Sequence, residues 1–125
     1  MSFLKTSGLG IILAISVATT TQAHPKLLSS VPAEGAVVAA PEALELRFSE
    51  ALTTQFSGAR LLQTGMPGMS HAPLLVKAAV QPGSNPQSML ISPAAALSPG
   101  RYSVEWRAVS SDTHPITGTL SFSVK

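Results

Sequence analysis

Ala43-Leu44-Glu45-Leu46-Arg47-Phe48-Ser49-Glu50 alternates apolar and polar side chains and puts Leu44, Leu46 and Phe48 on one face. A period of two marks a strand with one buried face, because successive side chains of an extended backbone point to opposite sides. Outward from it the same period returns twice: in Arg101 to Val109, where Tyr102, Val104, Trp106 and Ala108 share a face, and in Thr117 to Val124, where Leu120, Phe122 and Val124 point inward. Ala59 to Gln63, the more uniformly apolar Leu74 to Val80, and Ser88 to Ser92 read as further strands, and Lys26 to Ser30 as a short extended piece. Turns fall at Val31-Pro32-Ala33-Glu34-Gly35, at Gln81-Pro82-Gly83-Ser84-Asn85-Pro86 and at Leu97-Ser98-Pro99-Gly100, while Ala36 to Glu42 is a small-residue linker. About seven short strands with no helical period predict an all-β antiparallel sandwich or barrel.

Met1 to Ala23 has the build of a secretory signal: Lys5 near the front, an apolar run from Leu9 to Val17, then small residues up to Ala23. The run is too short for a permanent membrane anchor. Removing 23 of the 125 residues leaves 102, residues 24–125, enough for one domain and one core. The remaining 7 Lys+Arg (8 less Lys5) nearly balance 6 Asp+Glu, which argues against a nucleic-acid partner. The absence of cysteine excludes disulfides and thiolate metal sites. The expected product is an exported soluble protein with no membrane span once the signal is removed.

Ser110-Ser111-Asp112-Thr113-His114-Pro115-Ile116-Thr117-Gly118 carries the first candidate chemistry. In an extended segment, positions two apart face the same side, so Asp112 and His114 would aim an oxygen and a nitrogen at one point. Pro115 and Gly118 are expected to stiffen and turn the chain that follows. The segment is half of a metal site or, alternatively, a capped turn with a surface Asp and a satisfied His. A third ligand decides between them. A cut after Ala23 makes His24 the first residue, and its free α-amine can then bind a metal together with its own imidazole. Pro25 has no N–H to compete. A second stretch, Gly65-Met66-Pro67-Gly68-Met69-Ser70-His71-Ala72-Pro73, places two methionines three apart in a loop rich in Pro and Gly. Thioethers suit Cu(I) and His71 could add a nitrogen; the alternative is a loop folding its methionines onto the sandwich edge.

Several stretches in one order make the sequence similar to the CopC and PcoC family of periplasmic copper-binding proteins over essentially all of 24–125. They are His24-Pro25-Lys26-Leu27, Val31-Pro32-Ala33-Glu34-Gly35, Phe48-Ser49-Glu50, Thr54-Gln55-Phe56-Ser57-Gly58-Ala59, Met66-Pro67-Gly68-Met69 with His71, and Trp106 through Gly118. The resemblance implies a cupredoxin-like Greek-key β-sandwich with Cu(II) at one end, bound by His24, Asp112 and His114 with Glu50 as a companion. It implies Cu(I) at the other end, bound by Met66, Met69 and His71. Where methionine-rich members carry further methionines just before and after this loop, Gln63 and Leu74 stand here, so a weaker Cu(I) site is expected.

The chemistry of the donors agrees. Amine, two imidazoles and a carboxylate suit square-planar Cu(II), and copper heads the affinity order of divalent first-row ions. The expected function is to sequester copper in the periplasm and pass it to another copper-resistance or copper-transport protein. The alternative is a copper-dependent oxidative enzyme, since an N-terminal His chelate with a second His describes such centres too. Small size, a single Trp and a single Tyr, and Asp112 in a position that oxygen would need favour a non-enzymatic carrier.

Overall fold

The computed structural model describes residues 8, 10–14 and 24–125. Most of the expected leader, including Ala23 at its cut, lies outside the described residues, and the strands found among the described residues all lie within 24–125. Nine strands follow in order: β1 (Leu27–Val31), β2 (Val37–Val38), β3 (Leu44–Phe48), β4 (Gly58–Met66), β5 (Met69–Val76), β6 (Ala78–Pro82), β7 (Ser88–Pro93), β8 (Gly100–Val109) and β9 (Pro115–Val124). They form two sheets, β1-β3-β7-β6 and β2-β9-β8-β4-β5. The pairs are antiparallel except β2 with β9, which is parallel. The β4–β5 and β6–β7 hairpins are each followed by a crossing to the other sheet, which gives the sandwich expected from the alternation in the Greek-key form that the family resemblance implied.

Two differences raise the strand number above seven. The two-residue β2 lies inside the stretch read as linker, and the single strand expected over Leu74 to Val80 is divided between two sheets. The crossing is at Lys77, whose carbonyl accepts from Ala94 N at 2.9 Å. Period cannot locate such a crossing, because an apolar run along two edge strands has no alternation to interrupt.

The core fills the space between the sheets. Leu44, Leu46 and Phe48 of β3 with Met89 and Ile91 of β7 pack against Leu61 of β4, the Tyr102, Val104, Trp106 and Ala108 face of β8, and Leu120, Phe122 and Val124 of β9. Phe48 meets Trp106 edge-on with ring centres 5.2 Å apart, and Tyr102 stacks on Phe122, its register partner, at 5.5 Å. Such pairs add about 0.5–1.5 kcal/mol beyond their buried area. Gly118 does not turn the chain. It sits within β9 directly opposite Trp106, and a Cβ there would lie 2.6 Å from Cε2 of the indole. Its role is to leave room for the ring.

These pairings set the two ends of the sandwich. Lys26 N donates to Ser49 Oγ and Ser49 N to Lys26 O, both at 2.8 Å, and Pro25 between them and His24 is fully buried. The start of the domain is thereby stitched to the end of β3, beside the β8–β9 loop. The β4–β5 hairpin closes the opposite end. Its nine-residue strand β4 makes eight steps of about 3.3 Å, so roughly 26 Å separates the two ends.

Candidate metal centre

The β8–β9 loop is anchored before it begins. Ser57 Oγ accepts from Val109 N at 2.9 Å and donates to Val109 O at 3.2 Å, while Thr53 N donates to the same carbonyl at 2.7 Å. Thr113 N then donates to Ser110 O at 3.0 Å, and Thr113 takes a φ of 64°, a value uncommon outside glycine. The segment is a turn rather than the extended piece that the two-residue spacing implied. An Asp side chain that accepts from the backbone two residues on competes with extended pairing, and Asp112 does this: Oδ1 accepts from His114 N at 3.1 Å. The same oxygen accepts from Ser110 Oγ at 3.1 Å.

The other oxygen faces two imidazoles. Asp112 Oδ2 lies 2.8 Å from His24 Nδ1 and 3.8 Å from His114 Nδ1, and the two rings meet edge-on with centres 5.7 Å apart. Each residue offers one ligand atom, and these atoms lie within 4.8 Å of one another. The side chains of His24 and His114 are 37% and 73% exposed, so the cluster opens to solvent. Nδ1 is the ring nitrogen that closes a six-membered chelate with the α-amine of the same histidine, so His24 presents the atom that an N-terminal chelate needs. Glu50, one residue past the Ser49 stitch and half-buried, is not among the converging atoms.

Partial burial raises the Asp112 pKa, but the His114 N–H, the Ser110 hydroxyl and electrostatic attraction to the His24 and His114 side chains outweigh it, and the carboxyl sits below its ordinary value. A depressed native pKa adds stability above the unfolded value of about 3.9 and loses it as pH falls through the native value. The melting temperature of the metal-free protein is therefore expected to fall more steeply below about pH 4 than that of Asp112→Asn, and parallel pH profiles would contradict this.

At the opposite end, the stretch read as a loop is the tip of the β4–β5 hairpin. Pro67 and Gly68 make its turn, with Gly68 at the positive φ of 71° that the second position of a Pro-Gly turn requires. Met66 and Met69 are direct cross-strand partners, and both are exposed. His71 lies in an irregular step where Gln63 pairs with Leu74 but Gly65 pairs with Ser70. Its Nδ1 is 2.7 Å from Ala72 O, and because a carbonyl only accepts, Nδ1 is the donor there and Nε2 is the ring nitrogen not engaged in that bond. Gln63 and Leu74 pair further down the hairpin, on the other side of that irregular step and below the Gly65–Ser70 rung.

The CopC domain family matches residues 27–125, starting just after His24-Pro25-Lys26. The chain belongs to the CopC family. It is 62% identical over 109 residues to Copper resistance protein C of Pseudomonas syringae pv. tomato, covering 87% of this chain and 86% of that relative. It is 55% identical over 126 residues to Copper resistance protein C of Escherichia coli, covering both in full. The crystal structure of PcoC, a methionine-rich copper resistance protein from Escherichia coli, superposes with a TM-score of 0.78 at 57% identity, over 82% of this chain and 100% of PcoC.

Two serines with no donor role in the expected ligand set shape the centre of this CopC domain. Ser110 was legible in principle, since a serine two residues before an aspartate is a common local capping pattern. Ser57, 52 residues from its partner Val109, left no local signal.

Proposed function

We propose that this protein is a periplasmic copper carrier of a copper-resistance or copper-homeostasis system. Copper is its cargo, received and passed on to another copper-handling protein. The observation that carries the reading is the convergence of His24 Nδ1 and His114 Nδ1 on one oxygen of Asp112. With the leader removed after Ala23, the His24 amine adds a fourth donor, and two imidazoles, an amine and a carboxylate suit Cu(II) in a planar arrangement. Glu50 is not used as a ligand in this proposal. The names of the relatives, copper resistance protein C, and the methionine-rich PcoC support the same cargo.

Met66, Met69 and His71 Nε2 make the second position, for Cu(I). Two thioethers and one imidazole satisfy a three-coordinate soft ion, while Gln63 and Leu74, further down the hairpin, add no sulfur. This site is the weaker for it. A carrier is favoured over an oxidative enzyme because Asp112 Oδ2 stands between the imidazoles, in a position oxygen would need.

X-ray absorption on the one-copper protein tests both positions. The oxidised form is expected to show nitrogen and oxygen scatterers with an imidazole signature, and the reduced form sulfur. The sulfur signal should vanish in a Met66→Leu, Met69→Leu double variant whose Cu(II) spectrum is unchanged. Reduced wild type with nitrogen and oxygen ligands alone would remove the methionine position, and oxidised wild type without imidazole would remove the Cu(II) reading.

A further inference from the structure

We propose that Ser110 is a positioning residue for the metal centre: its buried hydroxyl holds one oxygen of Asp112 so that the other alone faces the two imidazoles. The inference rests on the Cu(II) reading above. Ser110 is 2% exposed, and its Oγ donates to Asp112 Oδ1 at 3.1 Å. That oxygen also takes the His114 N–H at 3.1 Å, so both of its lone pairs are engaged. Oδ2 is the oxygen turned to the imidazoles, 2.8 Å from His24 Nδ1 and 3.8 Å from His114 Nδ1.

Ser110 has little freedom to follow the carboxylate if it turns. Val109, just before it, is held at both N and O by Ser57 and again at O by Thr53, and Ser110 O accepts from Thr113 N. The rigidity of the sheet thus passes through Val109 and Ser110 to one carboxylate oxygen. A carboxylate restricted to one oxygen fits a planar set with two imidazoles and an amine. A carboxylate free to rotate offers both oxygens and suits ions that accept non-planar, more oxygen-rich coordination. Ser110 therefore sets the preference for Cu(II) over Zn(II) as well as the strength of binding.

The test uses the mature protein with Cu(II) and Zn(II) as probes. Ser110→Ala is expected to weaken Cu(II) binding by about 10- to 100-fold, the usual effect of losing a group that orients a ligand. The Cu(II)-over-Zn(II) ratio should narrow, the electron paramagnetic resonance hyperfine splitting should change, and Ser110→Thr should restore all three. Where Ser110→Ala does not fold, the near-isosteric pair Ser110→Thr and Ser110→Val isolates the hydroxyl, and binding by Thr above Val supports the role. Wild-type affinity and spectrum in Ser110→Ala, or equal binding by the Thr and Val variants, would overturn it while leaving the Cu(II) reading in place. Wild type without nitrogen-bound Cu(II) would overturn both.

Discussion

Mature protein carrying one extra residue ahead of His24 is expected to bind Cu(II) at least about a hundredfold more weakly than protein that starts at His24. The added residue turns the α-amine into an amide and leaves every side chain in place, so the loss isolates a single donor and its chelate ring. Metal sites with four protein ligands bind with about 10–16 kcal/mol, which puts one ligand at roughly 3 kcal/mol, or two powers of ten in affinity. Nearby, Pro25 is buried and Lys26 is stitched to Ser49, so the extension has no route to displace His24 from Asp112. Competition titration against a chelator of known affinity measures the change. Equal affinities would mean that imidazoles and carboxylate suffice and that the amine is not a ligand.

Gly118→Ala should produce the second large effect, on the fold rather than the cargo. The new Cβ would stand 2.6 Å from Trp106 Cε2 and 3.0 Å from Cη2, well inside van der Waals contact. The indole cannot simply turn away, since its other side meets Phe48 edge-on within the core. Overpacking of this kind costs about 1–3 kcal/mol, which for a domain of this size lowers the melting temperature by roughly 5–20 °C. Trp106 is the only tryptophan in the chain, so its emission reports the displacement directly. Adding Trp106→Phe to Gly118→Ala should recover part of the loss by shrinking the ring. A Gly118→Ala protein that melts with wild type and keeps its emission would show that β9 shifts to accept the methyl at little cost.

The parts of the fold legible in the sequence are those with one wet face and one dry one. Leu44, Leu46 and Phe48, or Tyr102, Val104 and Trp106, alternate because water lies on one side and the opposite sheet on the other. The crossing at Lys77 and the two-residue parallel strand at Val37–Val38 have no such contrast and were invisible. Asp112, His114 and His24 could be nominated from donor chemistry and an expected new N-terminus. Their approach depends on the Lys26–Ser49 bonds across 23 residues, which no local pattern announces. The turn at Thr113 and the space at Gly118 escape a period-two reading for different reasons: the first is set by bonds within the turn itself, the second by a partner on the neighbouring strand. Asp112 folds back on His114 N, and Gly118 yields to Trp106.

The length of β4 bears on kinetics. In the arrangement proposed, a copper ion that gains an electron at one end has about 26 Å of folded sheet between it and the methionines of its own molecule. Direct ligand exchange cannot span that distance, so a hand-over without release of the ion needs the hairpin of a neighbour and is second order in protein. A dilute population keeps each ion where it was loaded. A crowded compartment lets the same molecules relay copper head to tail, with concentration as the control.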